Sequence, residues 1–595
     1  MKTVVHVTHE AVQKIGGIGA VLHGLLTSRT YSAAVDRDIL LGPLFTTDGP
    51  ASSRLGGNGE VLYSSIDGIV GHPQAQQFAE IERKYNVSIV YGRKTFFDPA
   101  TGVRANPEVI LFDVRRFDQY QINSFKARLF ERFQIESNKY EHVWDYEQYC
   151  RIAEPGLEVL HAIGACAGHE PAVIVSHEYM GMPTALAAIM QGPELFRTIF
   201  YAHEVATMRR LVEDHPGHDT MFYNVLEQAH VQGATVEDVF GSQDFFYKHP
   251  LVRAAQYCDN VFAVGDYVIK ELQFLDKAFD SHATNLAYNG VPAFKISVEE
   301  KLASRGRLQQ YCQNLLGYSP DHVLTHVTRL VRSKGLWRDI RVLEQFEKLC
   351  RKENRTAVLF VLSTESVGRR SDDILNMEAD YKWPVAHREG HPDLTGGEAA
   401  FYAGVQEFNA RSRNCKIVYM NQFGFDRKTC GSRMPAEMEF MDIRKGSDAE
   451  FGQSIYEPFG IAQVEPISFG GICVFTNVCG CAGFVRHAAG GKPSPNIIEA
   501  DYTKLDAIKG GDIEDLLKLD RAKRDYLETC IGKDIADELF KRLPVTREQF
   551  AGFVERGYEL ARKMSWEVVA RDYVLPGIGR ALERKQPAKA VKAAV

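Results

Sequence analysis

Two carboxylates, Glu457 and Glu465, stand eight residues apart in the stretch SIYEPFGIAQVEPISFGGICVFTNVCGCAGFV, Ser454 to Val485, on either side of a Pro-Phe-Gly turn. If Pro458 fixes the turn and a helix begins near Gly460, Glu457 lies in the loop ahead of that helix and Glu465 about one and a half turns into it. Ionised oxygens so placed can accept charge-assisted hydrogen bonds, one set from a sugar and the other from a ribose diol. The bland alternative is a helix-capping Glu457 and a solvated Glu465. A cationic group stands upstream in VLTHVTRLVRSKGL, where a strand delivers Arg329 and Lys334 follows just before a glycine and the next helix. Two such cations can neutralise a diphosphate leaving group, each charge-assisted bond being worth about 1.5 to 3 kcal/mol.

Elements that could position these groups are legible around them. Residues 3 to 8 read as a first parallel strand, and EAVQKIGGIGAVLHGLL after it reads as a glycine-rich loop entering a helix. Unsatisfied amides at that helix start, with Lys14, Gly16 and Gly17 beside them, form an anion-binding arrangement; a tight turn with a surface lysine is the alternative. Apolar strands recur at Pro171-Ala-Val-Ile-Val-Ser-His-Glu and Phe196-Arg-Thr-Ile-Phe-Tyr-Ala-His-Glu. Ligands gather at the carboxyl ends of parallel strands, so His177, Glu178, His203 and Glu204 stand where a cleft opens.

Taken together, these stretches resemble the retaining glycosyltransferases that include the glycogen and starch synthases. EPFGIAQVE resembles their Glu, seven residues, Glu signature. The loop with Lys14 resembles their Lys-x-Gly-Gly loop, Asn289-Gly-Val-Pro the turn that ends their first domain, and TRLVRSKG their Arg-x4-Lys-Gly motif. Lys563-Met-Ser-Trp-Glu resembles their terminal helix. Three positions and one short stretch depart from the pattern: Ala20 and Glu178 stand in place of aspartates, Glu204 in place of an asparagine, and Val478-Cys479-Gly480 in place of Thr-Gly-Gly. The resemblance implies a GT-B fold, α/β, with two facing Rossmann-like domains and a deep cleft. It implies catalytic roles for Glu457, His203, Arg329 and Lys334. Lys14, Gly16, Gly17, Glu178, Glu465, Cys479 and Gly480 become substrate-binding candidates, with the amides near Gly480 on the distal phosphate. No cofactor and no metal are implied.

Composition suits a soluble globular protein of two or more domains: 595 residues, 45% hydrophobic, 25% charged, net charge −7. The acidic balance and the lack of a long Lys/Arg run argue against nucleic acid as a partner. No apolar window reaches membrane-span length, the start MKTVVHVTHE lacks a signal-peptide core, and eleven cysteines without a regular framework point to reduced thiols in the cytoplasm. The candidate partners are a nucleotide-sugar donor, a glucan or other sugar acceptor, and a further copy of the chain.

The expected domains are 1–292 for the acceptor, a helical connector 293–320, 321–562 for the nucleotide sugar, a terminal helix 563–583 crossing back, and a disordered tail 584–595. Between about 50 and 150 the pattern carries no assignable chemistry. Residues 206–255 read as an excursion of the first domain for acceptor or oligomer contacts, since His215 and His218 have no supporting metal-ligand cluster. Residues 365–415 read as a polar, irregular insertion. The function implied is glucosyl transfer from UDP- or ADP-glucose to an α-glucan. A small sugar or sugar-phosphate acceptor, a sugar-nucleotide epimerase, a phosphorylase with a lysine-bound pyridoxal phosphate and an inactive nucleotide-sugar-binding scaffold are the competing readings.

Overall fold

A computed structural model describes the chain except for residues 1, 13–15, 168–169, 367–371, 382–385, 423, 507–510 and 585–595. The expected tail therefore lies almost wholly outside the described residues, as does Lys14. The chain forms two compact units. One comprises Met1–Met208, Gln232–Gly290 and the segment from Trp566 onward, the other Arg209–Val231 and Val291–Ser565.

In the first unit, runs such as TVVHV and AVIVSH are buried at every position, because a parallel strand covered on both faces has no solvent side on which to alternate. The strands of its main sheet are β1 (Thr3–Val7), β2 (Arg37–Pro43), β3 (Gly59–Ser64), β4 (Ser88–Lys94), β5 (Glu108–Asp113), β6 (Ala172–His177), β7 (Phe196–Ala202), β8 (Asn260–Ala263) and β9 (Thr284–Leu286). They form one sheet in the order β9-β8-β7-β6-β1-β2-β5-β4-β3. Only β4 runs against the rest, pairing antiparallel with both β3 and β5. From β1 the chain first builds outward through β2, then restarts on the other side at β6. The carboxyl ends of β1 and β6 thus flank a switch point, the place where open α/β sheets hold ligands.

The second unit carries a seven-stranded sheet: β10 (His322–Val327), β11 (Ala357–Leu362), β12 (Arg388–Glu389), β13 (Cys415–Met420), β14 (Ala449–Gly452), β15 (Ile472–Thr476) and β16 (Ile497–Ala500). The order is β12-β13-β11-β10-β14-β15-β16, and every pairing is parallel. Its switch point lies between β10 and β14. Leu324, Leu359, Ile417 and Val474 on the strands pack with Val342 and Phe346 of the helix after β10 in one core.

Two segments differ from the sequence reading. Arg209–Val231 packs with the second unit, so the excursion 206–255 is divided between the two units rather than belonging to the first. The described residues between 365 and 415 are not irregular: they supply β12 at the sheet edge and a helix Gly396–Arg411 whose Val405 and Phe408 are buried. That helix starts on a capping box in which Thr395 and Glu398 satisfy each other's backbone amides, a signal present in the sequence as Thr395-Gly-Gly-Glu398. Among the described residues no helix is long and apolar enough to cross a membrane.

Candidate active site

At the second switch point the loops leaving β10 and β14 meet. The first carries Arg329 and a short turn, Arg332–Lys334, into a helix Leu336–Lys352; the second carries Glu457 into the helical turn Ile461–Val464. Gly335 between them adopts φ +61°, and a Cβ there would stand 2.5 Å from the Gln453 carbonyl oxygen. Only glycine allows both that dihedral and that approach. Ser333 O then accepts from the Ile455 amide at 2.8 Å, which locks one loop to the other.

The lock brings Lys334 Nζ onto Glu457 Oε2 in a direct ion pair. The two side chains are 12% and 15% exposed, so the pair is better shielded than a surface salt bridge, whose worth is about 0–1 kcal/mol. Gln463, a residue the sequence reading passed over, donates from Nε2 to Ser454 Oγ at 2.8 Å and lies 3.5 Å from Glu457 Oε2. Arg329 is exposed and makes no ion pair among the described residues, which leaves its charge available.

Two other groups are placed differently from expectation. Glu465 begins the helical segment Glu465–Phe469, and its Oε2 accepts from Arg444 Nε at 2.9 Å. Arg444 is fully buried and also lies 3.2 Å from Glu450, so Glu465 is half committed to a structural ion pair that sequence spacing could not reveal. Near the helix Gly480–Ala488 the amides are occupied: Gly480 donates to the Glu457 carbonyl at 3.1 Å, Cys481 to Phe459 at 2.9 Å and Cys479 to Thr476 at 3.0 Å. Cys479 Sγ lies 3.1 Å from Thr476 Oγ1. Of the amides expected on the phosphate, that of Gly480 instead holds the Glu457 turn in place, together with that of Cys481, and that of Cys479 closes onto Thr476.

Beneath this site Arg338 is completely buried between Asp219 (2.7 Å) and Glu528 (2.9 Å), over the ring of Tyr502 at 3.8 Å. Its Nη1 donates to the carbonyls of Gln453 and Ser454, at 3.2 and 3.4 Å, and so tethers the strand end that leads to Glu457. Gln453 is further held by Asp339 (2.9 Å) and the Tyr502 hydroxyl (2.6 Å).

In the first unit the helix Gly17–Leu26 follows β1, and its N-terminal amides meet a carboxylate from the chain itself. Glu10 Oε2 accepts from Gly16 at 2.8 Å and from Gly19 at 2.9 Å. The anion-binding arrangement expected around Gly16 and Gly17 therefore already holds a carboxyl group of the chain, that of Glu10. At the end of β6, Glu178 opens a helix Glu178–Gln191 with φ +59°, buried, its Oε1 accepting from the Glu204 amide at 2.6 Å. Burial first and the neighbouring Glu204 second push its carboxyl well above the usual range. His203 follows β7, partly exposed, and its Nε2 lies 2.8 Å from His177 Nδ1. His177 Nε2 in turn lies 2.9 Å from His6 Nδ1 on β1.

Comparison with known proteins gives a fold and no close relative. No family model matches the chain, and no curated protein sequence matches it. A trehalose-6-phosphate protein from E. coli bound with UDP-2-fluoro glucose is 12% identical over 98% of this chain and 100% of its own, with a TM-score of 0.50. The catalytic domain of starch synthase IV from Arabidopsis thaliana, bound to ADP and acarbose, is 15% identical over 98% and 100%, also with a TM-score of 0.50. The likeness shows a shared architecture of two Rossmann-like domains, the GT-B fold.

Proposed function

We propose that the chain is a retaining hexosyltransferase that moves a glucosyl group from a nucleotide sugar, UDP- or ADP-glucose, to an α-glucan. The observation that carries this reading is the Lys334–Glu457 pair at the switch point of the second sheet, with Arg329, which makes no ion pair among the described residues, on the loop of Lys334. Support comes from the fold shared with two structures holding a uridine and an adenine nucleotide ligand. In the reaction the bond from C1 to the diphosphate breaks and a bond from C1 to the acceptor oxygen forms on the same face. Arg329 and Lys334 take up the leaving charge, and Glu457 orients the sugar and supports the cationic carbon. The acceptor's proton passes to the leaving phosphate oxygen, so no separate base is required. His203 is assigned to sugar contact and Glu465 Oε1 to the ribose; Glu178 and the loop at Lys14, Gly16 and Gly17 are assigned to the acceptor side.

A sugar-phosphate acceptor is the second reading, favoured by the likeness to the E. coli trehalose-6-phosphate protein. The test is incubation with radiolabelled UDP- and ADP-glucose against glycogen, maltooligosaccharides, glucose and glucose 6-phosphate. Incorporation into glycogen is expected; incorporation into glucose 6-phosphate alone transfers the assignment to the second reading. Conversion of the donor without any acceptor would identify an epimerase, and binding without turnover a scaffold.

Glu465→Gln checks the ribose assignment separately. A carboxylate on the ribose does not read the base, so UDP and ADP binding should both weaken by a similar factor, about 1.5–3 kcal/mol by calorimetry. Unchanged affinity for both nucleotides would place Glu465 outside the site, as a partner of Arg444 only.

A further inference from the structure

Behind His203 the hydrogen-bonded series runs on through the first unit. His6 Nε2 lies 3.1 Å from the Tyr31 hydroxyl, and that hydroxyl donates to Asp38 Oδ1 at 3.0 Å. Five side chains from β1, β2, β6, the end of β7 and the helix Arg29–Ala34 thus form one line ending on a carboxylate. His203 Nδ1, at the opposite end, has no hydrogen bond among the described residues.

We propose that Asp38, Tyr31, His6 and His177 are positioning residues that fix the tautomer of His203, holding Nε2 protonated and Nδ1 as a lone-pair acceptor for a ligand hydroxyl. The ligand part rests on the reading of His203 as a sugar-contacting group.

The argument is one of hydrogen counting. A neutral imidazole donates from one nitrogen and accepts at the other, and a tyrosine hydroxyl has one hydrogen to give. Ionised Asp38 can only accept, so the Tyr31 hydrogen points to it. Tyr31 oxygen must then accept from His6 Nε2–H, which leaves His6 Nδ1 to accept from His177 Nε2–H. His177 Nδ1 accepts in turn from His203 Nε2–H, and Nδ1 of His203 is left without a proton. One charge at Asp38 determines four side chains in sequence. An Nδ1 acceptor welcomes a sugar hydroxyl and repels an anionic oxygen, so the polarity suits the neutral part of a donor or acceptor sugar.

The register reverses in one balanced way. A proton arriving at His203 Nδ1 releases Nε2–H to His177 Nδ1, His177 Nε2–H to His6 Nδ1, His6 Nε2–H to the Tyr31 oxygen, and the Tyr31 hydrogen to Asp38. Each bond to hydrogen breaks as the next forms, and the net result is one proton on Asp38 with no ring charged. Burial raises the Asp38 carboxyl to about 7, against the lowering effect of the Tyr31 hydrogen bond, and holds His6 and His203 near 3. The groups facing this line are few. His6 Nε2 is 4.0 Å from Asp38; His9, itself 3.7 Å from Glu10, acts on His177 and His203; Asp145 and Lys248 act on His9. The neighbour of Asp38 on β2, Arg37, is turned to Glu108.

Nitrogen-15 spectra of the full chain labelled at histidine, at about pH 8.5 where an ordinary imidazole is neutral, test this directly. His203 is assigned by its loss in His203→Gln. In the native protein an unprotonated Nδ1 is expected. In Asp38→Leu the Tyr31 hydrogen is left with only His6 Nε2 to meet, so the order should reverse and Nδ1 of His203 should carry the proton. Should that variant not fold, Asp38→Asn carries the same test, because an amide can either accept from or donate to the Tyr31 hydroxyl and both tautomers of His203 are expected. A protonated Nδ1 in the native protein, or the native tautomer in a folded Asp38→Leu or as the sole form in Asp38→Asn, overturns the proposal. Donor turnover on the same native sample reports on the proposed transferase activity alone, so the two readings fail independently.

Discussion

Lys334→Ala and Glu457→Gln are each expected to lower glucosyl transfer by about two to three powers of ten, the size of effect seen when a transition-state charge contact is removed. The two side chains form a shielded ion pair at the ends of neighbouring strands, so each change also leaves its partner's charge uncompensated. As parts of one unit they should be non-additive: the double variant should lose little more than the worse single one. Arg329→Ala should lower transfer to a similar extent while leaving stability unchanged, because Arg329 makes no ion pair among the described residues. Initial rates with labelled donor, alongside thermal unfolding to check the fold, decide the matter. Near-native rates in folded Lys334→Ala and Glu457→Gln would remove the pair from the reaction.

Arg338→Met is expected to destabilise the second unit by about 3–5 kcal/mol, since it strands Asp219 in the interior without its cation and leaves Glu528 with Arg341 alone, at 3.2 Å, of the two guanidinium groups it holds. Burial opposes the charge on Arg338, yet the two carboxylates hold it well above its ordinary range, so the guanidinium stays charged at any working pH. Chemical denaturation followed by tryptophan fluorescence suits the test, because Trp337 donates to the same Glu528 at 3.0 Å. Replacing all three charges by Met and Leu should recover much of the loss, as buried ion networks exchanged for apolar side chains often do. A native-like unfolding midpoint in Arg338→Met alone would show that the network adds nothing to the fold. Because Arg338 also tethers Gln453 and Ser454, a reduced transfer rate is expected even under conditions where the variant remains folded.

How much of this was legible in the sequence depended on the range of the signal. Lys334, Arg329 and Glu457 stood out because each follows an apolar strand by a few residues, and parallel strands deliver their loops to one edge. The meeting of Lys334 with Glu457, 123 residues apart, needed the strand order, which brings β10 beside β14. Arg444, Gln463 and the line from Asp38 to His203 were invisible for a different reason. His6 sits inside TVVHV, where an apolar pattern says only that the strand is buried; its hydrogen-bond partners come from two other elements. The amides of Gly480 and Cys481 illustrate the opposite error. A glycine at a helix start permits an anion, but whether the amide is already bonded depends on the path of a turn twenty residues earlier. The helix Gly396–Arg411 was hidden by its polar composition, though its capping box was in plain view.

The end of the chain completes the first unit. Trp566 lies so close to Gly24 and Gly290 that a Cβ at either would fall 2.1 and 2.4 Å from its indole. Glu567 accepts from the Arg29 and Thr30 amides, at 2.8 and 2.9 Å, and from the Ser28 hydroxyl at 2.9 Å. A ribosome making about 5–20 residues per second therefore releases the residues that form the first sheet roughly tens of seconds before the residues that cap its opening helices exist. During synthesis the nascent first unit waits with an empty indole slot and uncapped amides, while the second unit can fold as it emerges. The late arrival of Trp566 and Glu567 means that the amino-terminal unit closes only after the residues of the second unit up to Ser565 have been made.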